Sequence, residues 1–326
     1  MFLVCGEALF DVFIGAGDQR TLALEAHPGG SPFNVAIGLA RLDQPVGFLG
    51  GLANDMLGER LRAVFAAEGV ATDTVVGFDA PTTLGLVAVS ANGIPSYAFY
   101  GNGAADRLLT AAQLPALPEA VRALHIGSYA TVVEPVASAL EALVRRERGQ
   151  RLIAYDPNVR LNVMPDAARW RERVDTLAAL SHVIKISDED AGLLYGAQPL
   201  DTLAQRWLDA GCSLVLATRG AAGATAWTRQ ARVDAPAPRV EVLDTVGAGD
   251  TFQAATLAWL AEHDALTPDA IAGMPSTHLS ALLRFATAAA ALTCARRGAD
   301  LPRRHELSET KNGSEARGAA STAIAD

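Results

Sequence analysis

Short β-branched or aromatic runs alternate with longer amphipathic stretches along most of the chain, and this alternation limits the possible folds more than any other feature. The runs fall at residues 2–5, 46–49, 124–126, 152–155, 183–186 and 214–217; helical periodicity fills 32–42, 56–68, 135–148, 166–180, 200–210, 250–262 and 278–296. A strand followed by a helix, repeated, predicts a mostly parallel sheet covered by helices, so the expected class is α/β. Two segments break the rhythm, at 11–16 and 83–101. The second contains LGLVAVSANGIPSYAFY and reads as two strands around an Asn92-Gly93 turn. Together they predict a small separate sheet. Residues 307–326 turn polar and small, as expected of a flexible tail, which leaves 1–306 as the folded unit.

A chain of 326 residues that is 50% hydrophobic and 19% charged fits a compact globular enzyme and not a disordered one. Its net charge of −9 repels polyanions unless a local basic patch overcomes it. The densest basic cluster, Arg145, Arg146 and Arg148, is interleaved with Glu141 and Glu147 as on a solvated helix face. No nucleic-acid or membrane partner is therefore expected. Cys5, Cys212 and Cys294 are odd in number, far apart and set among apolar neighbours, which suits reduced thiols and a cytoplasmic location. The start, MFLVCGEALFD, has no basic leader and is interrupted by Glu7 and Asp11, so it reads as a strand and not a signal peptide. The apolar stretch at 281–295 contains Arg284 and is too short to span a bilayer.

The segment DTVGAGDTF, residues 244–252, sets two glycines and an alanine directly before an amphipathic helix. A helix start exposes unpaired N–H groups and the positive end of the dipole, so Gly247, Ala248 and Gly249 can bring bare backbone against an anion. Other phosphate loops fit poorly. A dinucleotide fingerprint needs a small residue where Phe252 stands, and a Walker A loop needs Gly-Lys-Ser/Thr, whereas the only lysines are Lys185 and Lys311. Asp250 could simply cap the helix. A carboxylate beside an anion hole nevertheless repels the anion unless it serves the reaction, and phosphoryl transfer needs a group that takes the nucleophile's proton.

With these residues the chain resembles the ribokinase-type (phosphofructokinase-B type) family of carbohydrate kinases, and within it the bacterial fructokinases. The second family signature falls in PGGSPFNVAIGLARL, and the likeness runs over about residues 2 to 306. It implies a ribokinase-like three-layer sandwich with a small β lid made by 11–16 and 83–101. It also implies ATP-dependent phosphorylation of a free sugar, most like D-fructose. Asp250 would be the base, and Gly247, Ala248 and Gly249 the anion hole.

On the sugar side, Ser31 is expected to cap the helix that follows, with Pro32 at its first position. The resemblance brings Gly29 and Gly30 close to the sugar and gives Asn34 hydrogen bonds to its hydroxyls. Asp11 would be a bidentate acceptor for two hydroxyls, since an ionised carboxylate only accepts. Phe13 and Phe99 belong to the lid. In AYDPNVR the strand ends at Tyr155 and aims Arg160 at the carboxyl edge of the sheet, where open α/β folds bind ligands; a substrate or phosphate contact follows.

On the nucleotide side, KISDEDAGLL opens a helix at Ser187. The family usually has an Asn and a Glu, three apart, that organise Mg²⁺ through water; Ser187 and Asp190 stand there, which assigns the role to Asp190, with Glu189 behind it. Thr218, Arg219, Gly220 and Gly223 match the family's nucleotide loop, and Lys185 can reach phosphate as a point charge. Asp244 occupies the carboxylate position of a K⁺ site. A homodimer is left open. The nearest alternative substrate is 2-keto-3-deoxygluconate, because Gly101 stands where fructokinases commonly have Arg; Arg107 is read as lying beyond the contact region. A sugar-binding regulatory protein is the alternative from another class, and a nicotinamide dehydrogenase lacks its fingerprint.

Overall fold

A computed structural model describes residues 1–18, 20–89 and 95–307; the Asn92-Gly93 turn, and the tail from 308 onward, lie outside the described residues. In chain order the strands are β1 (Phe2–Cys5), β2 (Leu9–Gly17), β3 (Leu22–Gly29), β4 (Val46–Leu49), β5 (Gly51–Ala53), β6 (Val76–Phe78), β7 (Leu84–Val89) and β8 (Pro95–Tyr100), then β9 (Ala123–Gly127), β10 (Leu152–Asp156), β11 (Val183–Ser187), β12 (Leu214–Thr218), β13 (Ala224–Trp227) and β14 (Arg232–Ala235). The helices are α1 (Ser31–Arg41), α2 (Met56–Glu68), α3 (Val136–Glu147), α4 (Ala167–Ala178), α5 (Asp188–Tyr195), α6 (Leu200–Asp209), α7 (Ala248–Glu262), α8 (Pro268–Ala272) and α9 (Ser276–Cys294).

The main sheet runs β14-β13-β12-β11-β10-β9-β1-β4. It is parallel from β4 to β12, and β13 and β14 close one edge antiparallel. Its strands read as unbroken apolar runs because both faces are buried. In β1, Phe2 and Val4 join the core beneath α1, α2, α7 and α9, while Leu3 and Cys5 join the core beneath α3, α4 and α6. This is the expected three-layer α/β/α sandwich.

The chain leaves β1 for β4 on one side and later returns to β9 on the other, so the strand order reverses at β1. Such a reversal opens a crevice at the carboxyl ends of the strands, where ligands bind in open α/β sheets. Directly over it, β2 starts only three residues after β1 and leads into a second sheet, β3-β2-β7-β8. Among the described residues, the small sheet expected from 11–16 and 83–101 is present in β2, β7 and β8, widened by β3. Leu307 is buried against the core, one residue past the expected limit of 306. Cys5 and Cys212 are buried, Cys294 is half-buried, and all three are free thiols. No helix among the described residues is long and apolar enough to cross a membrane.

Candidate active site

The site is built where α1 and α7 meet above the sheet's carboxyl edge. α7 begins at Ala248, with Gly247 as its N-cap in the left-handed region (φ 78°). A side chain there would be strained and would also press on Ala299, so glycine is required. Asp250 was expected to open the helix. It lies instead inside the first turn, and its side chain turns away from capping to meet other elements. Oδ1 accepts from Ser31 Oγ at 2.6 Å and Asn158 Nδ2 at 3.2 Å, and Oδ2 accepts from Asn34 Nδ2 at 2.8 Å. All three partners donate, which suits a carboxylate. Asp250, Ser31 and Asn34 are all buried.

The expected cap at Ser31 is corrected. Gly30 is the N-cap of α1, at φ 104°, and no side chain caps the helix. Ser31 becomes the first helical residue, which frees its hydroxyl for Asp250. Glycine is needed at position 30 for its positive φ. A Cβ on neighbouring Gly29 would collide with Asp11 Oδ2, so this glycine lets backbone and carboxylate approach one another. Asp11 is half-buried on β2, and burial pushes its carboxyl up to about 6, with Arg160 pulling down and Asp250 pushing up. Phe99 on β8 lies against Gly85 of β7, a position that also borders Asp11 Oδ1, and its ring is 6.5 Å from that of Tyr129. Phe13 meets His27 edge to face at 5.6 Å.

Arg160 donates to Val159 O at 3.1 Å, and its charge is felt by both Asp11 and Asp190. It thus lies near both Asp11 and the start of α5. Asp190 is buried there, and burial raises its pKa against the pull of Lys185 and Arg160. Glu189, the alternative, is exposed and not brought toward these residues; its amide donates to Asp188 Oδ1 at 3.0 Å. Lys185 is buried beside Gly249, its Nζ 2.7 Å from Asp156 Oδ2.

Thr218 and Arg219 are half-buried at the end of β12, Gly220 is exposed, and Gly223 is buried against Ala235. The Arg219 guanidinium pairs with Asp234 at 3.0 Å, on β14. Asp244 accepts from Val246 N at 3.1 Å and Gly298 N at 2.8 Å, tying the turn before α7 to the segment after α9. Arg107 is not remote, as the sequence suggested. It is buried at the foot of the small sheet against Gly101, 5.3 Å over the Tyr129 ring and 3.9 Å from Asp106. Asp106 accepts from Thr83 and Tyr129, and Arg107 Nε is buried without a hydrogen-bond partner among the described residues.

Read along the sequence, DPNVR points to Arg160 alone. Folded, it also delivers Asn158 to Asp250 and Asp156 to Lys185, partners that only long-range contact reveals.

A buried carboxylate held beside a bare helix start, at a sheet's switch point, is an arrangement for moving a proton next to an anion. Residues 3–306 match the pfkB family carbohydrate kinase description. The chain belongs to that family. It is thus an ATP-dependent sugar kinase. This pfkB kinase is 39% identical over 274 residues to a fructokinase of Rhizobium leguminosarum bv. trifolii, covering 84% of each chain. It matches the structure of a fructokinase with bound ATP from Xylella fastidiosa at TM-score 0.87 and 29% identity, over 96% of this chain and 98% of that one. A fructokinase double mutant from Vibrio cholerae O395 in fructose, ADP and potassium ion bound form matches at TM-score 0.80 and 26% identity, over 94% and 97%.

Proposed function

We propose that this kinase transfers the γ-phosphoryl group of ATP to the primary hydroxyl of D-fructose, giving fructose 6-phosphate, with Asp250 as the base. The observation that carries the reading is the Asp250 carboxylate, buried within one turn of Gly247 and held by Ser31 and Asn34 of α1 and by Asn158 of the loop after β10. As the hydroxyl oxygen attacks phosphorus in line, its proton passes to the carboxylate and the bond to the ADP leaving oxygen breaks. The amides of Gly247, Ala248 and Gly249 meet the charge on the transferring group. Asp11, Gly29, Gly30, Asn34 and Phe99 hold the sugar, with Arg160 at the boundary between sugar and phosphate. The lid of 11–16 and 83–101 excludes water when closed.

Thr218, Gly220, Gly223 and Lys185 line the nucleotide side, and Arg219 supports it through Asp234. Asp190 fits an outer-sphere Mg²⁺ partner, because Mg²⁺ keeps most of its waters and needs one or two carboxylates, and Asp190 is a buried carboxylate at the start of α5 within the influence of Lys185 and Arg160. When bound, Mg²⁺ neutralises phosphate charge. K⁺ beside Asp244 would order the turn that Asp244 already ties to Gly298. Equal rates in potassium and in a bulky organic cation, at matched ionic strength, would remove that role.

Fructose is favoured over the acid 2-keto-3-deoxygluconate because an added carboxylate would have to lose water and find its own cation, and the fructokinases this chain resembles take the neutral sugar. A coupled ADP-release assay over free sugars tests this. Fructose should give the highest kcat/KM, and Asp250→Asn, folded, should lose roughly a hundredfold or more in kcat. Preference for the acid would overturn the substrate, and a fully active Asp250→Asn would overturn the base.

A further inference from the structure

Gly249 has no conformational reason to be glycine. Unlike Gly247 it does not lie at positive φ; it is the second residue of an ordinary helix. What a side chain there would meet is a single group: Lys185 Nζ would lie 3.0 Å from the Cβ, and Lys185 Cε 4.0 Å. Glycine inside a helix costs about 0.5–1 kcal/mol relative to alanine. The missing side chain leaves the lysine room beside the turn that is read as facing the anion.

The lysine in turn is held by Asp156. Nζ and Oδ2 are 2.7 Å apart, with side-chain exposures of 4% and 0%. Asp156 Oδ1 has no partner. Burial pushes its carboxyl up despite the opposing pull of Lys185. Such a pair is a poor device for stability, because the loss of water around both charges offsets most of their attraction, and a half-satisfied network is worse than an apolar one. Its place explains it better. β10 and β11 point both side chains up at the first turn of α7, under the backbone that faces the anion.

We propose that Asp156 is a positioning residue for phosphoryl transfer, holding the Lys185 ammonium against the backbone of Gly249 so that a fixed positive charge sits beneath the anion turn. The inference rests on the reading of Gly247, Ala248 and Gly249 as the phosphoryl site. A cation placed in advance, in a site without water, stabilises charge as it develops and so acts on kcat. The sugar contacts around Asp11 and Gly29 are not involved, so the sugar KM should hold.

The test compares Lys185→Met, Asp156→Asn and the double variant with the parent, using Tm, kcat and both KM values, with Asp250→Asn alongside. Each single variant is expected to lose about a hundredfold in kcat, with the sugar KM within about threefold. The double variant, freed of an unpaired buried charge, should recover Tm while kcat stays low. Recovery of kcat together with Tm would mean that the pair only supports the fold, and would overturn the proposal. Should Lys185→Met not fold, Asp156→Asn, which keeps the shape of the side chain, decides alone: a parental kcat refutes the role. The Asp250→Asn control separates the two readings. If it stays active the phosphoryl site itself is misassigned; if it is inactive while Lys185→Met turns over normally, only this inference falls.

Discussion

Asp11 is a carboxylate placed where burial works against its charge. Its pKa is pushed up to about 6 by burial, with Arg160 lowering and Asp250 raising it. A protonated carboxyl loses acceptor capacity, so it holds two sugar hydroxyls less well than the ionised form. With Asp11 as the proposed sugar acceptor the sign follows: below pH about 6 the group is neutral and sugar binding should be weak, above it ionised and binding should be strong. The sugar KM should therefore fall as pH rises through about 6 while the ATP KM changes little. Asp11→Asn should raise the sugar KM and flatten that dependence. Initial rates from about pH 5 to about pH 8, across the titration of a carboxyl raised this far, check it. A parental sugar KM that ignores pH would take Asp11 out of the pocket. At this scale the sequence exposes chemistry better than partnership. The carboxylate of Asp250 is legible beside its glycines, but Ser31 lies 219 positions away and Asn158 lies 92, and no local pattern reports such contacts. Ser31 even reads as a cap until the positive φ of Gly30 shows that the preceding residue takes that place.

α1 and α7 carry Ser31, Asn34 and the proposed base Asp250 between them, so their spacing sets most of the site. Gly38 of α1 faces Ala254 of α7; a Cβ at Gly38 would lie 2.8 Å from Ala254 Cβ and 2.6 Å from Leu301 Cδ2. The leucine tip can swing aside, but the alanine methyl sits on backbone, so Gly38→Ala must push the helices apart. Overpacking of this kind costs about 1–3 kcal/mol. It should also stretch the bonds from Ser31 and Asn34 to Asp250, now 2.6 and 2.8 Å. Thermal melts and steady-state rates on the same protein should show Tm and kcat falling together; a variant with both at parental values would mean that the contact relaxes locally. Helices and central strands such as these are readable because burial imposes its period on the sequence. β3 leaves no such trace, since LALEAHPG is exposed over most of its length, and Leu22 and Leu24 face solvent. β13 and β14 are short and at the sheet edge, where a period of two has little room to show.

Across the whole molecule the sheet separates two cores, and the residues proposed for catalysis gather on one of its faces and at one of its edges. β10 sends Leu152 and Ala154 into the core under α7, and Asp156 follows in the same alternation; β11 does the same with Val183 and Lys185. The opposite face ends elsewhere. Arg146, in the last turn of α3, donates to Pro115 O at 2.7 Å, and Arg151 just beyond donates to Val121 O at 2.9 Å, so this end of α3 sits by the start of β9 and away from the strand ends that carry the site. Leu143, fully buried in that second core, is thus as well packed as any residue near the base but has no part in its geometry. Leu143→Ala should lose about 2–5 kcal/mol of stability through the cavity it leaves. Below its melting range its kcat and both KM values should equal the parent's. Phe252→Ala, two residues after Asp250 and in the first core, should lose about 3–5 kcal/mol and turnover as well, because the cavity opens beneath the helix turn that holds the base. Denaturant titrations paired with steady-state rates compare the two directly. A fall in kcat for Leu143→Ala as large as that for Phe252→Ala would show that the sheet transmits packing from one face to the other and does not insulate the site from it.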